Sequence, residues 1–295
     1  GVIILENVIV AGLEKSGDSA VGAAGFSRLN DEVISFHAKS VVLASGGAGR
    51  IYSRTDNPVG TTGEGYAIAY SAGARLIDME FVQFFPFGLV EPSLPMFLFN
   101  PGIVEVGRLV NTEGKEFLKD AGFSPGRDFI EHRDTLSRLI CMEIQKGKGD
   151  LDAVLLDLKG TEEIGHGLTM LGEFKEIKRR WLSKVDLNKQ CLHIAPLEHY
   201  FMGGIEIDEN GATNILGLYA AGEVTGGIDG ANRLGGNALT NTIVFGARAG
   251  RAAAEHAKSL ETVETSDLST REIEKDLKEI RARPQSPGAR PREIR

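Results

Sequence analysis

The chain has 295 residues and 42% hydrophobic content, enough for one large or two ordinary domains with a proper core. Lys+Arg 33 against Asp+Glu 41 gives a net charge of −8 with no basic stripe, which argues against a nucleic-acid partner. No apolar stretch reaches the roughly 18 residues needed to cross a bilayer, so no transmembrane segment or signal peptide is expected.

Taken in chain order, the segments Val2–Leu5, Val8–Val10 and Val33–Ala38 alternate in polarity. They predict a small antiparallel meander, with a glycine-rich turn at Gly22–Gly25, feeding a buried strand over Val41–Ala44. Gly65–Gly73 reads as a short apolar helix, and Glu80–Pro86 as a strand leading out of that unit. From about Phe87 to Gln190 the composition changes, and Pro92, Pro95 and Pro101 mark an irregular crossing. Asp134 is a candidate cap for a helix over Thr135–Ile144 with Leu136, Leu139, Ile140 and Ile144 on one face. Asp150–Leu158 predicts a strand and Leu171–Trp181 an amphipathic helix, so the block has the character of an inserted α+β domain. Leu216–Glu223 reads as a buried strand ending in a glycine turn, and Thr240–Ala257 as a helix. A last amphipathic helix, Arg271–Ile280, is broken by Pro284, Pro287 and Pro291.

The densest run of polar and glycine residues is Asp229-Gly-Ala-Asn-Arg-Leu-Gly-Gly-Asn-Ala-Leu239. It joins a cation, Arg233, to Asn232, Asn237 and the nearby Glu223, with glycines that let backbone approach a ligand. A strand-to-helix junction of this kind aims backbone N–H groups at an anionic or carbonyl-rich ligand. Cys141 and Cys191 show neither metal-ligand spacing nor a disulfide framework, and read as core fillers of a reduced, cytoplasmic protein.

The run resembles the C-terminal flavin motif of the succinate dehydrogenase, fumarate reductase and L-aspartate oxidase flavoprotein family, H-G-A-N-R-L-G-G-N-S-L. Three further segments agree in order. Val41–Tyr52 resembles the strand-plus-glycine segment beside the flavin, Thr62–Gly65 the family's T-G-D-G, and His199–Gly204 its H-Y-x-M-G-G. The resemblance implies an α/β fold with an α+β cap. An incomplete, Rossmann-like FAD-binding domain would occupy residues 1–86 and 191–257, and an inserted capping domain 87–190. Residues 258–295 would form a linker and the start of a truncated helical C-terminal domain. The G-x-G-x-x-G dinucleotide signature occurs nowhere in the chain and lies upstream in the family, so the chain reads as an internal fragment cut at both ends.

For the cofactor, FAD, the resemblance assigns Glu223 to the ribityl hydroxyls and the backbone of Ala238 and Leu239, beside Asn237, to the isoalloxazine carbonyl. Glu64 stands where the family commonly has Asp, and Ser45, Gly46 and Gly47 line the cofactor channel. For a carboxylic-acid substrate, Arg233 suits a carboxylate clamp and His199 a second donor. Arg133 resembles the arginine that delivers the proton. Two readings stay open there: a salt bridge to Glu131 or Asp134, and the same Arg-Asp pair at Arg127-Asp128, although the helix spacing favours Arg133.

The departures bear on the substrate. Where the family has H-P-T-G, this chain has Phe85-Pro-Phe-Gly88, and the family's Thr-Glu pair falls on Phe99 and Asn100. One end of the substrate pocket is therefore expected to be apolar, which argues against a plain C4 dicarboxylate. The function expected is that of an FAD-dependent oxidoreductase with an altered substrate pocket. A true fumarate reductase, succinate dehydrogenase or aspartate oxidase is the alternative enzyme, and a non-catalytic flavoprotein-like module the alternative of another class. The partner that the family implies is an iron–sulfur or other electron-transfer subunit, and through it peripheral attachment to the inner face of a membrane.

Overall fold

The computed structural model describes residues 1–92, 94–101, 104, 107–124, 129, 131–160, 185–187, 189–262 and 268–282. The predicted helix Leu171–Trp181, the Arg127-Asp128 pair and the three tail prolines lie outside them.

The chain opens with an antiparallel meander of β1 (Val8–Ser16), β2 (Ser19–Ser27) and β3 (Val33–His37). Val2–Leu5 do not join it and are exposed. The expected turn at Gly22–Gly25 is in fact the middle of β2. Its glycines are needed because the neighbouring strands close in: a Cβ on Gly22 would stand 2.0 Å from the Phe36 carbonyl oxygen, and one on Gly25 2.1 Å from that of Ile9. The real turn lies at Gly17, whose φ of +59° is left-handed.

Next come β4 (Val41–Leu43), the helix α1 (Glu64–Ser71), and β5 (Leu76–Ile77). Four more elements follow, β6 (Val82–Leu89), β7 (Phe97–Leu98), β8 (Arg108–Val110) and the short α2 (Phe117–Asp120). The helix α3 (Arg133–Glu143) precedes β9 (Val154–Asp157) and the long β10 (Leu192–Phe201). The chain then forms β11 (Gly204–Glu206), β12 (Leu218–Ala220) and β13 (Thr225–Gly226). It ends in α4 (Asn237–Ser259) and α5 (Leu268–Ala282). Asp134 does not cap α3 as expected. The helix starts two residues earlier than expected, at Arg133 behind His132, and Asp134 instead pairs with Arg138 one turn on at 3.0 Å.

Two cores result. The first lies on the antiparallel sheet β7-β6-β10-β9-β8, where α3 lays down Leu136 and Ile140, fully buried, with Leu139 and Ile144 at the margin. The second gathers Leu43 and Leu218 from the parallel β4–β12 pair with Tyr66 and Ala69 of α1, Ile205 and Val224. Strands β6 and β10 connect them: Phe85, Phe87, Leu89, Leu192 and Ile194 belong to the first core, Phe201 and the flanking Val82 to the second. Residues 86 and 87 lie within β6. The fold is thus a mixed helix–strand architecture in which one strand pair runs through both cores.

That pair is irregular where it crosses. Register shifts fall between Ala195 and Leu197 and between Glu198 and Tyr200, and His199 is the extra residue of the second. Pro86 and Pro196, which lack N–H donors, lie at the first shift. A bulge re-aims the side chains beside it, and those here include Glu198, His199 and Tyr200.

Away from the crossing, His193 of β10 is gripped from both sides. Its Nδ1 lies 2.8 Å from Glu91 and its Nε2 3.1 Å from Asp150. Burial opposes the charged ring, but the hydrogen bonds and charges of Asp150 and Glu91 outweigh it and raise the His193 pKa. A raised histidine stabilises the fold fully below its unfolded value, and that contribution is lost as pH rises through the folded one. Replacing His193 by Gln should therefore cost about 1 kcal/mol near pH 6, the scale of a partly exposed ion pair, and less at pH 9. Denaturant midpoints at the two pH values check this, and a pH-independent difference would refute it.

Candidate active site

The bulged stretch of β10 faces the loop that carries the Asp229–Leu239 run. Gln83 of β6 holds that loop in place: its Nε2 donates to the Arg233 carbonyl at 2.8 Å and to Asn232 Oδ1 at 3.1 Å. The Arg233 N–H meets the Met202 sulfur at 3.1 Å, which explains why the methionine follows the bulge so closely. Arg233 is only 5% exposed. Its guanidinium lies over the Tyr200 ring, 4.3 Å from the centroid.

Arg133 arrives from the opposite side, at the first turn of α3. Its guanidinium stands over the Phe85 ring at 5.1 Å, and a Cβ on Gly235 would come within 3.1 Å of its Nη2. The arginine thus lies directly against the glycine pair of the run. Burial first, and then the charge of Arg233, hold the Arg133 pKa below its ordinary value. The Nε atoms of both arginines are buried and make no hydrogen bond among the described residues. The field acting on Arg133 comes from burial and from Arg233, and Asp134 turns to Arg138 instead.

His199 completes the group. Its ring meets the edge of Phe85 at 5.8 Å, and its Nδ1 lies 3.0 Å from Asp56. A carboxylate on one imidazole nitrogen fixes the ring and leaves the other nitrogen to face a ligand. Arg133, His199 and Arg233 are therefore brought together around Phe85 and Tyr200. Phe99 is not part of this group. It is fully buried in the first core, edge-on to Phe97 at 5.3 Å, while Asn100 beside it is half-buried.

On the cofactor side, Ser45, Gly46 and Gly47 follow β4 after the single residue Ala44. Gly46 and Gly236 are both left-handed, with φ of +77° and +86°, and a Cβ on either would meet nothing within 4 Å. Gly236 precedes α4 and offers no side chain to close it. The Asn237 N–H turns back to the Leu234 carbonyl at 3.2 Å, and the N–H groups of Ala238 and Leu239 that follow in the first turn of that 23-residue helix have no side-chain cap. Asn237 reaches back to Asp229. Glu64 opens α1, is exposed, and is hydrogen-bonded to Thr62. Glu223 is held deeper than the sequence suggested. Its Oε1 accepts the Phe201 N–H at 2.9 Å, and burial raises its pKa. Open glycine surfaces, an uncapped helix start and a buried carboxyl fit a large ligand with a flat polar edge and hydroxyls, as a flavin has.

Sequence reasoning missed Thr55, Asp56, Asn57 and Glu198. Two signals were available: the polar Arg54–Asn57 run just after the glycine segment, and a single carboxylate in the otherwise apolar Leu192–Leu197 context.

The class these features define is that of FAD-binding flavoproteins, and a profile of the FAD binding domain matches residues 1–239. Over 297 residues the chain is 42% identical to a component of the fumarate reductase (CoM/CoB) of Methanothermobacter marburgensis, covering 99% of this chain and 52% of that protein. It is 39% identical to the L-aspartate oxidase of Nostoc sp., covering 82% of this chain and 41% of the relative. The Mycobacterium smegmatis Sdh1 complex with UQ1 superposes with a TM-score of 0.79 at 35% identity, over 96% of this chain and 46% of that one. Escherichia coli quinol fumarate reductase FrdA gives 0.79 at 32% identity, over 97% and 51%. The chain belongs to the flavoprotein family of fumarate reductase, succinate dehydrogenase and L-aspartate oxidase. It spans about half the length of the curated relatives it matches. Those relatives are named as enzymes, which does not favour a non-catalytic module. Among the described residues, no helix is long and apolar enough to cross a membrane.

The tight fit at Gly47 is testable. An alanine Cβ there would stand 2.3 Å from Glu223 Oε1 and 2.7 Å from its Cδ, forcing the carboxyl off the Phe201 N–H. Gly47→Ala should destabilise the fold by about 1–3 kcal/mol, the cost of an unsatisfied buried group. An unchanged unfolding midpoint would contradict the packing described.

Proposed function

We propose that this chain forms the flavin- and substrate-facing part of an FAD-dependent oxidoreductase that acts on the carbon atoms next to a carboxylate. The observation that carries the reading is a pair of guanidiniums whose buried Nε atoms have no hydrogen-bond partner among the described residues, Arg133 over Phe85 and Arg233 over Tyr200, with His199 edge-on to Phe85. Two like charges that feel each other, neither in an ion pair among the described residues, suit a site whose anion is the ligand.

In this reading Gly46, Gly47, Glu223 and the starts of α1 and α4 hold FAD, with residues 1–86 and 191–257 as its Rossmann-like domain and 87–190 as the cap. Bound there, FAD supplies hydride exchange with the substrate carbon. Arg233 clamps the substrate carboxylate, and Tyr200 beneath it fixes the plane of the guanidinium. His199, oriented by Asp56, gives a second donor to the same substrate. Arg133, with its lowered pKa, holds the proton that passes to or from the neighbouring carbon. Phe85 closes the far side of the pocket, so the substrate class favoured has one carboxylate and an apolar far end. Phe99 supports that wall from within the core. The partner proposed is an iron–sulfur or other electron-transfer subunit, held at the inner face of a membrane, in keeping with relatives described with quinol or UQ1.

Arg233→Ala in the flavin-loaded holoenzyme should lower turnover about a hundredfold or more, roughly 3 kcal/mol, with flavin still bound. Near-normal kcat/KM would overturn the clamp. The pocket reading is tested by titrating fumarate and a monocarboxylate with an apolar end against flavin absorbance, before and after Phe85→His. Fumarate affinity should rise with the histidine, because burying its second carboxylate unpaired costs several kcal/mol. Phe99 is left intact, since trimming a fully buried ring would open a cavity. Micromolar fumarate binding by the unaltered protein would sink the apolar-pocket reading.

A further inference from the structure

Glu198 is the one acidic residue in β10, and it is 0% exposed. Its Oε2 accepts the Thr55 hydroxyl at 2.7 Å and lies 3.4 Å from Asn57 Nδ2, while its Oε1 is buried with no hydrogen-bond partner among the described residues. Gly49 leaves room for it, because a Cβ there would stand 2.2 Å from Oε2.

The same contacts strap a turn onto the strand. The Glu198 N–H donates to the Arg54 carbonyl at 2.9 Å, and the Asp56 N–H approaches the Glu198 carbonyl at 3.4 Å. The Asn57 N–H donates to Thr55 Oγ1 at 3.0 Å, and its side-chain amide to the His199 carbonyl at 3.1 Å. The product of this strapping is the position of Asp56, whose carboxylate lies 3.0 Å from His199 Nδ1.

We propose that Glu198 is a positioning residue that works as a neutral carboxylic acid, clipping the Thr55–Asn57 turn to β10 and thereby setting the His199 ring through Asp56. The groups that face it are Asp56 from the turn, Glu223 from the segment after β12, Tyr66 from α1 and His199 of its own strand. An ionised Glu198 would be a third carboxylate against a single histidine. Burial foremost, then the charges of Glu223 and Asp56, push its pKa up to about 7, although the Thr55 hydroxyl and His199 pull the other way. The folded chain therefore keeps a proton that the unfolded chain releases. The stabilisation is complete below the unfolded carboxyl value and is lost as pH rises through about 7. Above that pH the clip slackens and the histidine loses its fixed orientation.

The inference rests on the reading of His199 as a substrate-side donor only for its kinetic consequence, so the test has arms that need no turnover. In the flavin-loaded holoenzyme at pH 6, infrared difference spectra should show the carbonyl stretch of a buried neutral acid that titrates near pH 7 and is absent from Glu198→Gln. The imidazole ¹⁵N signals of His199 should shift with the same midpoint in the native protein and not in the variant. In kinetics, kcat/KM should fall above pH 7, and Glu198→Gln, a neutral isostere, should stay within about threefold of the native pH 6 value and lose that limb. If Glu198→Gln does not fold, Thr55→Val keeps the test open. Removing the hydrogen bond to Oε2 should move the infrared band to higher frequency. An ionised Glu198 at pH 6, or His199 signals indifferent to its titration, would overturn the proposal. A titrating, coupled pair in an enzyme inert to every carboxylic acid would support it while overturning the substrate reading above.

Discussion

The whole arrangement depends on one irregular strand pairing. Strands β6 and β10 must serve two hydrophobic cores at once, and a regular ladder could not aim the same face into both. The two register shifts resolve the conflict by inserting His199 as an extra residue and placing prolines where donors are dispensable. Everything that carries chemistry is hung from that stretch. Gln83 holds the arginine loop, Phe85 meets Arg133 and His199, Glu198 binds the turn that carries Asp56, and Tyr200 lies under Arg233.

Charge is divided across this scaffold. Arg133 and Arg233 rest on aromatic faces, which hold a guanidinium without consuming its hydrogen-bond donors. The carboxyls Asp56, Glu198 and Glu223 gather along the bulged stretch of β10, where burial and mutual repulsion raise the pKa of the latter two. A site with two cations held on aromatic rings and a group of carboxyls whose pKa values are raised nearby is suited to binding an anion and to controlling where protons reside.

Much of this was legible in the sequence, for identifiable reasons. Helices α3 and α4 follow from apolar spacing, and the glycine run marks itself because few other residues allow backbone so close to a ligand. Arg133, His199 and Arg233 were found through motif resemblance, and they do converge. What could not be read was long-range. The glycines of β2 looked like a turn because nothing local reveals that Phe36 and Ile9 press on them. Asp134 looked like a cap because its pairing with Arg138 competes only once the helix has formed. Phe99 looked like a pocket wall, yet its depth is set by strands far along the chain. Glu198 escaped because its partners lie some 140 residues earlier, at separations of 141 and 143.

The central claim is that Arg133 and Arg233, each on its aromatic ring, act on one and the same bound substrate, Arg233 at its carboxylate and Arg133 at the carbon next to it. A double-mutant cycle on ligand binding tests it most directly, with Arg133→Ala, Arg233→Ala and both together titrated with one carboxylic acid against flavin absorbance. If both arginines face the same bound anion, the two losses are coupled by at least about 1 kcal/mol. Losses that simply add, within roughly 0.5 kcal/mol, would mean that the arginines do not meet one substrate and that the account is wrong.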